Sequence, residues 1–294
     1  LCGLFFFFAC GRFNGRGTLA GFLLFAPRYT VSGVFTGYSG SGLVLSNNGG
    51  DYLSIAHSGT FTFASSLDGG AAYSVVVATQ PSNPSQTCTV TGASGSMNSM
   101  DVSGIQVSCT TNSYSIQVSV AGLSGSGLAL QNSSNGDTIA AINANGTYTF
   151  ATPVMSGVSY NIVVSVQPSS PAQTCSVSAG SGTVGGANVT GITINCSLNS
   201  YTIGGNLSGY SASVGAPVLK DSISGQTVTL SANGAYSFSS PIVSGQNYNV
   251  TLQTLPTNPW QTCSVTGGSG TVSGSNVTNI DIACSLDAHT VGIS

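Results

Sequence analysis

The chain has 294 residues, of which only 4% are charged, and a formal net charge of −3 from four Lys or Arg and seven acidic residues. That length holds two or three domains. It cannot hold a nucleic-acid interface, because Arg12, Arg16 and Arg28 all precede residue 29 and Lys220 is the one base left to neutralise phosphates. The acids are all aspartates (Asp51, Asp68, Asp101, Asp137, Asp221, Asp281 and Asp287), so hydration of the surface falls to Ser, Thr, Asn and Gln. Copies with such a surface repel one another weakly, which suits fibres, surface layers and secreted stalks as well as a plain extracellular β-protein.

Residues 1–28, LCGLFFFFACGRFNGRGTLAGFLLFAPR, match nothing that follows. The apolar runs 4–9 and 19–26 are far shorter than the roughly 20 residues a spanning helix needs. The first run followed by Cys10-Gly11 resembles the end of a bacterial lipoprotein signal, with Phe7 where Leu is usual. That resemblance implies a lipid anchor on Cys10 as the chain's only route to a membrane. The alternative for Cys2 and Cys10 is a bond to each other. The arm either folds back on the first domain or inserts into a neighbouring copy.

From residue 29 a unit of about 85 residues recurs, opened by Tyr29, Tyr114 and Tyr201. A fixed period of this size signals repeated domains. The expected boundaries are 29–113, 114–200 and 201–288, joined by the short linkers 110–113 and 197–200. In the first repeat, residues 29–35 alternate, with Val31 and, after a slip at Gly33, Phe35 facing inward. Strands follow at 43–45, 53–55, 60–63, 73–78, 87–90 and 102–109, separated by Asn-, Asp- and Gly-rich turns. Gln80 to Gln86 reads as an extended connection, because two prolines cannot sit in a central strand. Seven short strands per repeat without a helical period give an all-β chain of three tandem seven-stranded β-sandwich domains. The alternating aromatics Phe61, Phe63, Tyr148, Phe150, Tyr236 and Phe238, with Tyr73, Tyr160 and Tyr248, belong to the cores.

Each repeat carries two cysteines at the same separation: Cys88 and Cys109, Cys175 and Cys196, Cys263 and Cys284. Zinc sites show short CxxC clusters, and none occurs here. One disulfide per repeat is the better reading, and it places the chain in an oxidising compartment, outside the cell or in a periplasm. The paired strands are either neighbours in one sheet or partners across the core.

The run Asn145-Gly146-Thr147-Tyr148-Thr149-Phe150, followed by Ser156-Gly157-Val158-Ser159-Tyr160, resembles the prealbumin-like β-sandwich of Cna-B and carboxypeptidase-regulatory-like domains. The full unit, with Leu123-Ser-Gly-Ser-Gly-Leu128 and residues 167–175, resembles tandem repeats of secreted or surface proteins of Gram-negative bacteria, over residues 29–288. The resemblance implies an extracellular structural or spacer role and supplies no catalytic residues. Cna-B domains often carry a Lys–Asn isopeptide bond. The first two repeats have no Lys and Lys220 reads as a turn residue, so the cysteine pair takes over as the staple.

The tail His289-Thr290-Val291-Gly292-Ile293-Ser294 aligns with Tyr29 to Val34 as the opening strand of a fourth repeat. Either the chain continues, or this strand completes a neighbouring molecule by edge pairing. No catalytic set is expected: no histidine matches His57 in the other repeats, His289 replaces a tyrosine, and the aspartates are scattered over turns. The oxygen-rich turns 47–51 and 132–137 offer one carboxylate each, thin for calcium, so no metal or cofactor is expected. The Asn145, Asn188, Asn249 and Asn276 sequons need only chance in so Ser/Thr-rich a chain. Trp260, the sole Trp, replaces Ser85 and Ala172 and either stacks on sugar or a partner, or folds back on its own sandwich. The expected protein is an extracellular, non-enzymatic structural subunit of a bacterial surface filament, assembled from its own copies through terminal strands. The alternative is an adhesin stalk or carbohydrate-binding array that meets surface glycans.

Overall fold

A computed structural model describes residues 26–211, 215–257 and 260–287, and the following account concerns these residues. They form thirty strands, ten for each repeat, and no helix. In the first repeat the strands are β1 (Arg28–Tyr29), β2 (Val31–Thr36), β3 (Val44–Asn47), β4 (Asp51–Ser54), β5 (Thr60–Thr62), β6 (Leu67–Asp68), β7 (Ala72–Thr79), β8 (Gln86–Thr91), β9 (Ser94–Ser96) and β10 (Val102–Thr111). The seven strands expected from sequence are β2, β3, β4, β5, β7, β8 and β10. The three additions are only two or three residues long, too short for a period to show.

One sheet has the order β5-β2-β10-β8 and the other β4-β3-β7-β9, with β1 and β6 as a separate ribbon. The second repeat uses β11 to β20 and the third β21 to β30 in the same two orders. In each repeat the opening strand of the first sheet lies parallel to the closing one. Val34 stands beside Gln106 and Val120 beside Ile194. The chain therefore enters a sandwich at one end of this pair and leaves it at the other.

The described residues fall into two compact bodies. One holds residues 26–37, Val44–Thr79 and Thr89–Ser108. The other holds Tyr38–Leu43, Gln80–Cys88 and the described residues from Cys109 onward. In the first body the core is built from Val31, Phe35, Leu45, Phe61, Phe63, Val75, Met97, Ile105 and Val107, all nearly inaccessible. The rings of Phe35 and Phe61 lie 4.8 Å apart, and Phe61 meets Phe63 edge-on at 5.7 Å. In the second body, Ile116, Val118, Leu128, Leu130, Ile192 and Ile194 centre one core, and Ile203, Leu219, Phe238, Val272 and Ile282 another.

Two expectations change. There is no slip at Gly33: Val31, Gly33 and Phe35 all face inward at period two. Glycine occupies the middle position because a Cβ there would meet the Ile105 carbonyl and come within 2.6 Å of the Phe61 ring. The second repeat has Val118 at this place. Lys220 is not in a turn either. It lies in β23 (Val218–Asp221), opposite Thr227 and Thr251.

Candidate functional site

The disulfides join Cys88 to Cys109, Cys175 to Cys196 and Cys263 to Cys284, with Cα atoms 3.9 to 4.0 Å apart. Of the two arrangements left open by sequence, the structure has neighbours in one sheet. In the second repeat β18 (Gln173–Ser178) pairs antiparallel with β20 (Val189–Leu198), and Cys175 stands opposite Cys196. In the third, Cys263 stands opposite Cys284 on β28 (Gln261–Thr266) and β30 (Asp281–Leu286). Each bond ties the exit strand of its repeat to the adjoining edge strand.

The Gln-Thr-Cys motif has a physical reason. Gln173 is buried and its Oε1 accepts from the Ser124 and Gly125 N–H groups at 2.8 and 2.7 Å, while Nε2 donates to the Gly122 carbonyl at 2.8 Å. One amide thus fastens the Ser-Gly turn to the stapled strand. Gln86 does the same for Ser39 and Gly40, and Gln261 for Ser211 and Gly209. The earlier glutamine of the connection clamps the cysteine's backbone. Gln80 exchanges two bonds with Cys88 at 2.8 and 3.0 Å, and Gln167 two with Cys175 at 2.7 and 3.1 Å. Leu255 holds that place in the third repeat and is exposed. The connection between these glutamines is a closed turn and not the extended run expected from its prolines: Ser82 bridges to Ser85 across Asn83-Pro84.

That turn is also where one repeat meets the next. Within the second body, the Ser85 N–H donates to Ser156 Oγ at 2.8 Å, and its carbonyl accepts from the Asn112 N–H at 3.0 Å. The Asn112 carbonyl in turn accepts from the Ser156 N–H at 2.9 Å, closing a three-residue ring. The Thr87 hydroxyl holds Asn112 Oδ1 at 2.8 Å. The next seam repeats every bond: Ala172 N–H to Ser244 Oγ at 2.9 Å, Asn199 N–H to the Ala172 carbonyl at 3.1 Å, Ser244 N–H to the Asn199 carbonyl at 2.8 Å, and Thr174 to Asn199 at 2.7 Å. The expected four-residue linkers reduce to single residues between strands. Asn112 alone separates β10 from β11 (Ser113–Tyr114), and Asn199 alone separates β20 from β21 (Ser200–Tyr201). Sequence reasoning missed the seam serines. Their signal was the Ser-Gly before Tyr160 and Tyr248, which the first repeat replaces with Gly69-Gly70.

The residues of the oxygen-rich turns and the sequons are held by hydrogen bonds within the repeats. Asn47, Asn132 and Asp221 are equivalent, buried, and engaged by the neighbouring strand, with Asn132 and Asp221 also accepting from their own turns. Asn47 Oδ1 accepts from the Ser74 N–H, and Asn132 Oδ1 accepts from Asn161 and Ser134. Burial works to raise the Asp221 pKa, but the Ser224 hydroxyl and the N–H groups of Asn249, Ile223 and Ser224 outweigh it, and the carboxyl sits below its ordinary 3.8. The sequon side chains are likewise occupied. Asn145 exchanges two bonds with Leu123, Asn188 and Asn276 accept from the Ser115 and Thr202 N–H groups, and Asn249 donates to Ser222. His57 is exposed on an open groove of about 570 Å³ bordered by Phe35, Ile55 and Phe61. Among the described residues no three His, Cys, Asp or Glu gather as metal ligands, and no helix is long and apolar enough to cross a membrane. Trp260 does not fold back: 60% of it is exposed. Cys2, Cys10 and the tail from His289 to Ser294 lie outside the described residues.

No family model and no curated protein matches the chain. Among solved structures it is similar to the Bacillus anthracis TIE protein, at 8% identity and a TM-score of 0.45 over 87% of this chain and 51% of that one. It is also similar to the pilus adhesin SpaC from Lactobacillus rhamnosus GG, at 12% identity and a TM-score of 0.24 over 89% and 44% of the two chains. A third likeness is to BcpA, the major pilin subunit of Bacillus cereus, at 9% identity and a TM-score of 0.26 over 86% of this chain and all of that one. The chain spans about half the length of the first two.

Proposed function

We propose that the protein is an extracellular structural element, the subunit of a bacterial surface filament built from copies of itself. The observation that carries this reading is the identical seam. Two successive repeats meet through the same ring of three backbone and hydroxyl bonds, entered from a disulfide-locked strand. Repeat proteins gain stability from such nearest-neighbour interfaces.

The strand order supports a mechanical role. Tension applied between the ends of a repeat loads the parallel entry and exit strands in shear, so their hydrogen bonds resist together. A sandwich whose end strands lay antiparallel would open one bond at a time. The disulfide then keeps the residues between its cysteines from being drawn out. Electron microscopy of the purified protein tests the reading: regular polymers without added ligand are expected, and they should vanish on deletion of residues 289–294 or 1–28. Monomers under all conditions refute it.

The exposed indole of Trp260 favours a second reading, an adhesin stalk or carbohydrate-binding array. Aromatic faces stack on sugars, so that reading requires glycan binding that Trp260→Ala abolishes.

A further inference from the structure

We propose that the outer edge of β28 in the third repeat is an unsealed strand edge through which two copies of this chain pair side by side. The proposal goes beyond the head-to-tail filament: it adds a lateral contact and does not depend on the ends of the chain.

The stapled strands β8, β18 and β28 each border their sheet. On β18 and β28 the cysteine lies directly opposite its partner, with Cα atoms only 3.9 and 4.0 Å apart, which marks a non-hydrogen-bonded pair. Its own N–H and carbonyl therefore point away from the neighbouring strand, out of the sheet. Such unpaired peptide groups recruit another strand unless something covers them. In the first two repeats a side chain covers them. The Gln80 carboxamide both accepts from and donates to Cys88, and the Gln167 carboxamide does the same with Cys175. A carboxamide is a peptide group on a tether, so these repeats carry an imitation of the neighbour that an open edge takes.

The third repeat lacks this cover. Leu255 stands in place of the glutamine, offers no donor or acceptor, and is 45% exposed. Among the described residues, nothing hydrogen-bonds to the backbone N–H or carbonyl of Cys263, or of Val265, the next residue to face outward. An open groove of about 340 Å³, bordered by Val250, Leu252 and Val265, runs between β28 and β27 (Asn247–Thr254). The devices that usually guard an edge are a lysine, a proline or a bulge. β28 has none of them: it reads Gln261-Thr-Cys-Ser-Val-Thr266 and pairs with β30 without a register shift.

The edge is complementary to itself. With a two-fold axis at Ser264, two antiparallel copies of β28 set Cys263 opposite the partner's Val265, and Val265 opposite the partner's Cys263. Each pair exchanges two N–H to carbonyl bonds, and together they engage every backbone group left over at 263 and 265. Ser264, exposed on the outer face, then meets the partner's Ser264 across the axis. No residue from Leu255 to Thr266 is charged, so two copies meet here without repulsion. The contact is isologous and closes at two copies, which joins chains or filaments sideways and adds nothing to their length.

Sedimentation velocity and amide hydrogen exchange of the full chain, followed against concentration, test the contact. The variants are Leu255→Gln, which restores the cover, Leu255→Met, which leaves the edge open, and Ser264→Asp and Ser264→Lys, each of which opposes itself across the axis. Unchanged melting temperatures show that they fold. In the parent and in Leu255→Met, exchange at the Cys263 and Val265 amides should slow as concentration and sedimenting mass rise. Leu255→Gln should slow exchange at Cys263 at every concentration and raise the half-association concentration about tenfold or more. Ser264→Asp and Ser264→Lys should each fail to associate sideways alone and recover when mixed. Association that Leu255→Gln and the Ser264 variants leave unchanged overturns the proposal, as does a parent whose two edge amides exchange fast at all concentrations. Edge amides protected in the parent at every concentration place another part of the same chain on β28 and overturn it too. Head-to-tail polymers formed equally by all variants would leave the filament reading standing while this contact falls.

Discussion

Reduction of the three disulfides should change how far each repeat stretches far more than whether it folds. The 21-residue separation between paired cysteines, at roughly 3.4 Å per extended residue, spans about 71 Å, against 4.0 Å across the bond. Opening a bond therefore releases about 67 Å of chain, or about 200 Å for three repeats. The chain-entropy model assigns each bond about 3 kcal/mol of stability, so reduced repeats should also melt earlier. Pulling single molecules from both ends, with and without reductant, measures the first quantity. The oxidised chain should unfold in three steps of similar length, and the reduced chain in three steps each longer by about 67 Å. Equal step lengths in the two states, or an increase confined to one repeat, would refute the reasoning.

Other outcomes follow from single side chains. Gly33→Ala should destabilise the first sandwich by about 1–3 kcal/mol, because the new methyl meets the Ile105 carbonyl and the Phe61 ring; urea unfolding reads the change. Gln173→Leu should cost about 2–3 kcal/mol in the second repeat, since two turn N–H groups lose their acceptor in a buried place, and chemical denaturation again measures it. Ser156→Ala and Ser244→Ala should each cost about 1 kcal/mol and raise hydrogen exchange at the Ser85 and Ala172 amides respectively. The lowered pKa of Asp221 makes the third repeat acid-sensitive. The carboxylate's contribution is complete above about pH 4, the unfolded value, and is lost as pH falls through the lower folded value, whereas Asp221→Asn, which copies Asn47 and Asn132, should flatten that dependence in pH-dependent melts.

Period and alternation made much of this legible. The threefold recurrence of the opening Tyr, the alternating aromatic pair and Gln-Thr-Cys marked the repeats, and β-branched alternation marked the seven longer strands. The short strands β1, β6 and β9 were not legible, because two or three residues carry no period. Gly33 looked like a slip because hydrophobicity patterns cannot represent an inward position filled by a neighbour's ring. The disulfide partners were legible from spacing, but not their place in one sheet, which depends on how β8 and β10 pair. The seam escaped notice because its bonds come largely from backbone groups, and the serine that completes it is one of many in a serine-rich chain.

Because the opening and closing strands of a sandwich run the same way side by side, every block hands the chain on at the far side from where it received it. Tandem duplication of one such block inserts a ready-made module with its own lock and both faces of its joint. Nothing inside the older modules has to be redesigned. Reach can thus grow by whole increments through copying alone.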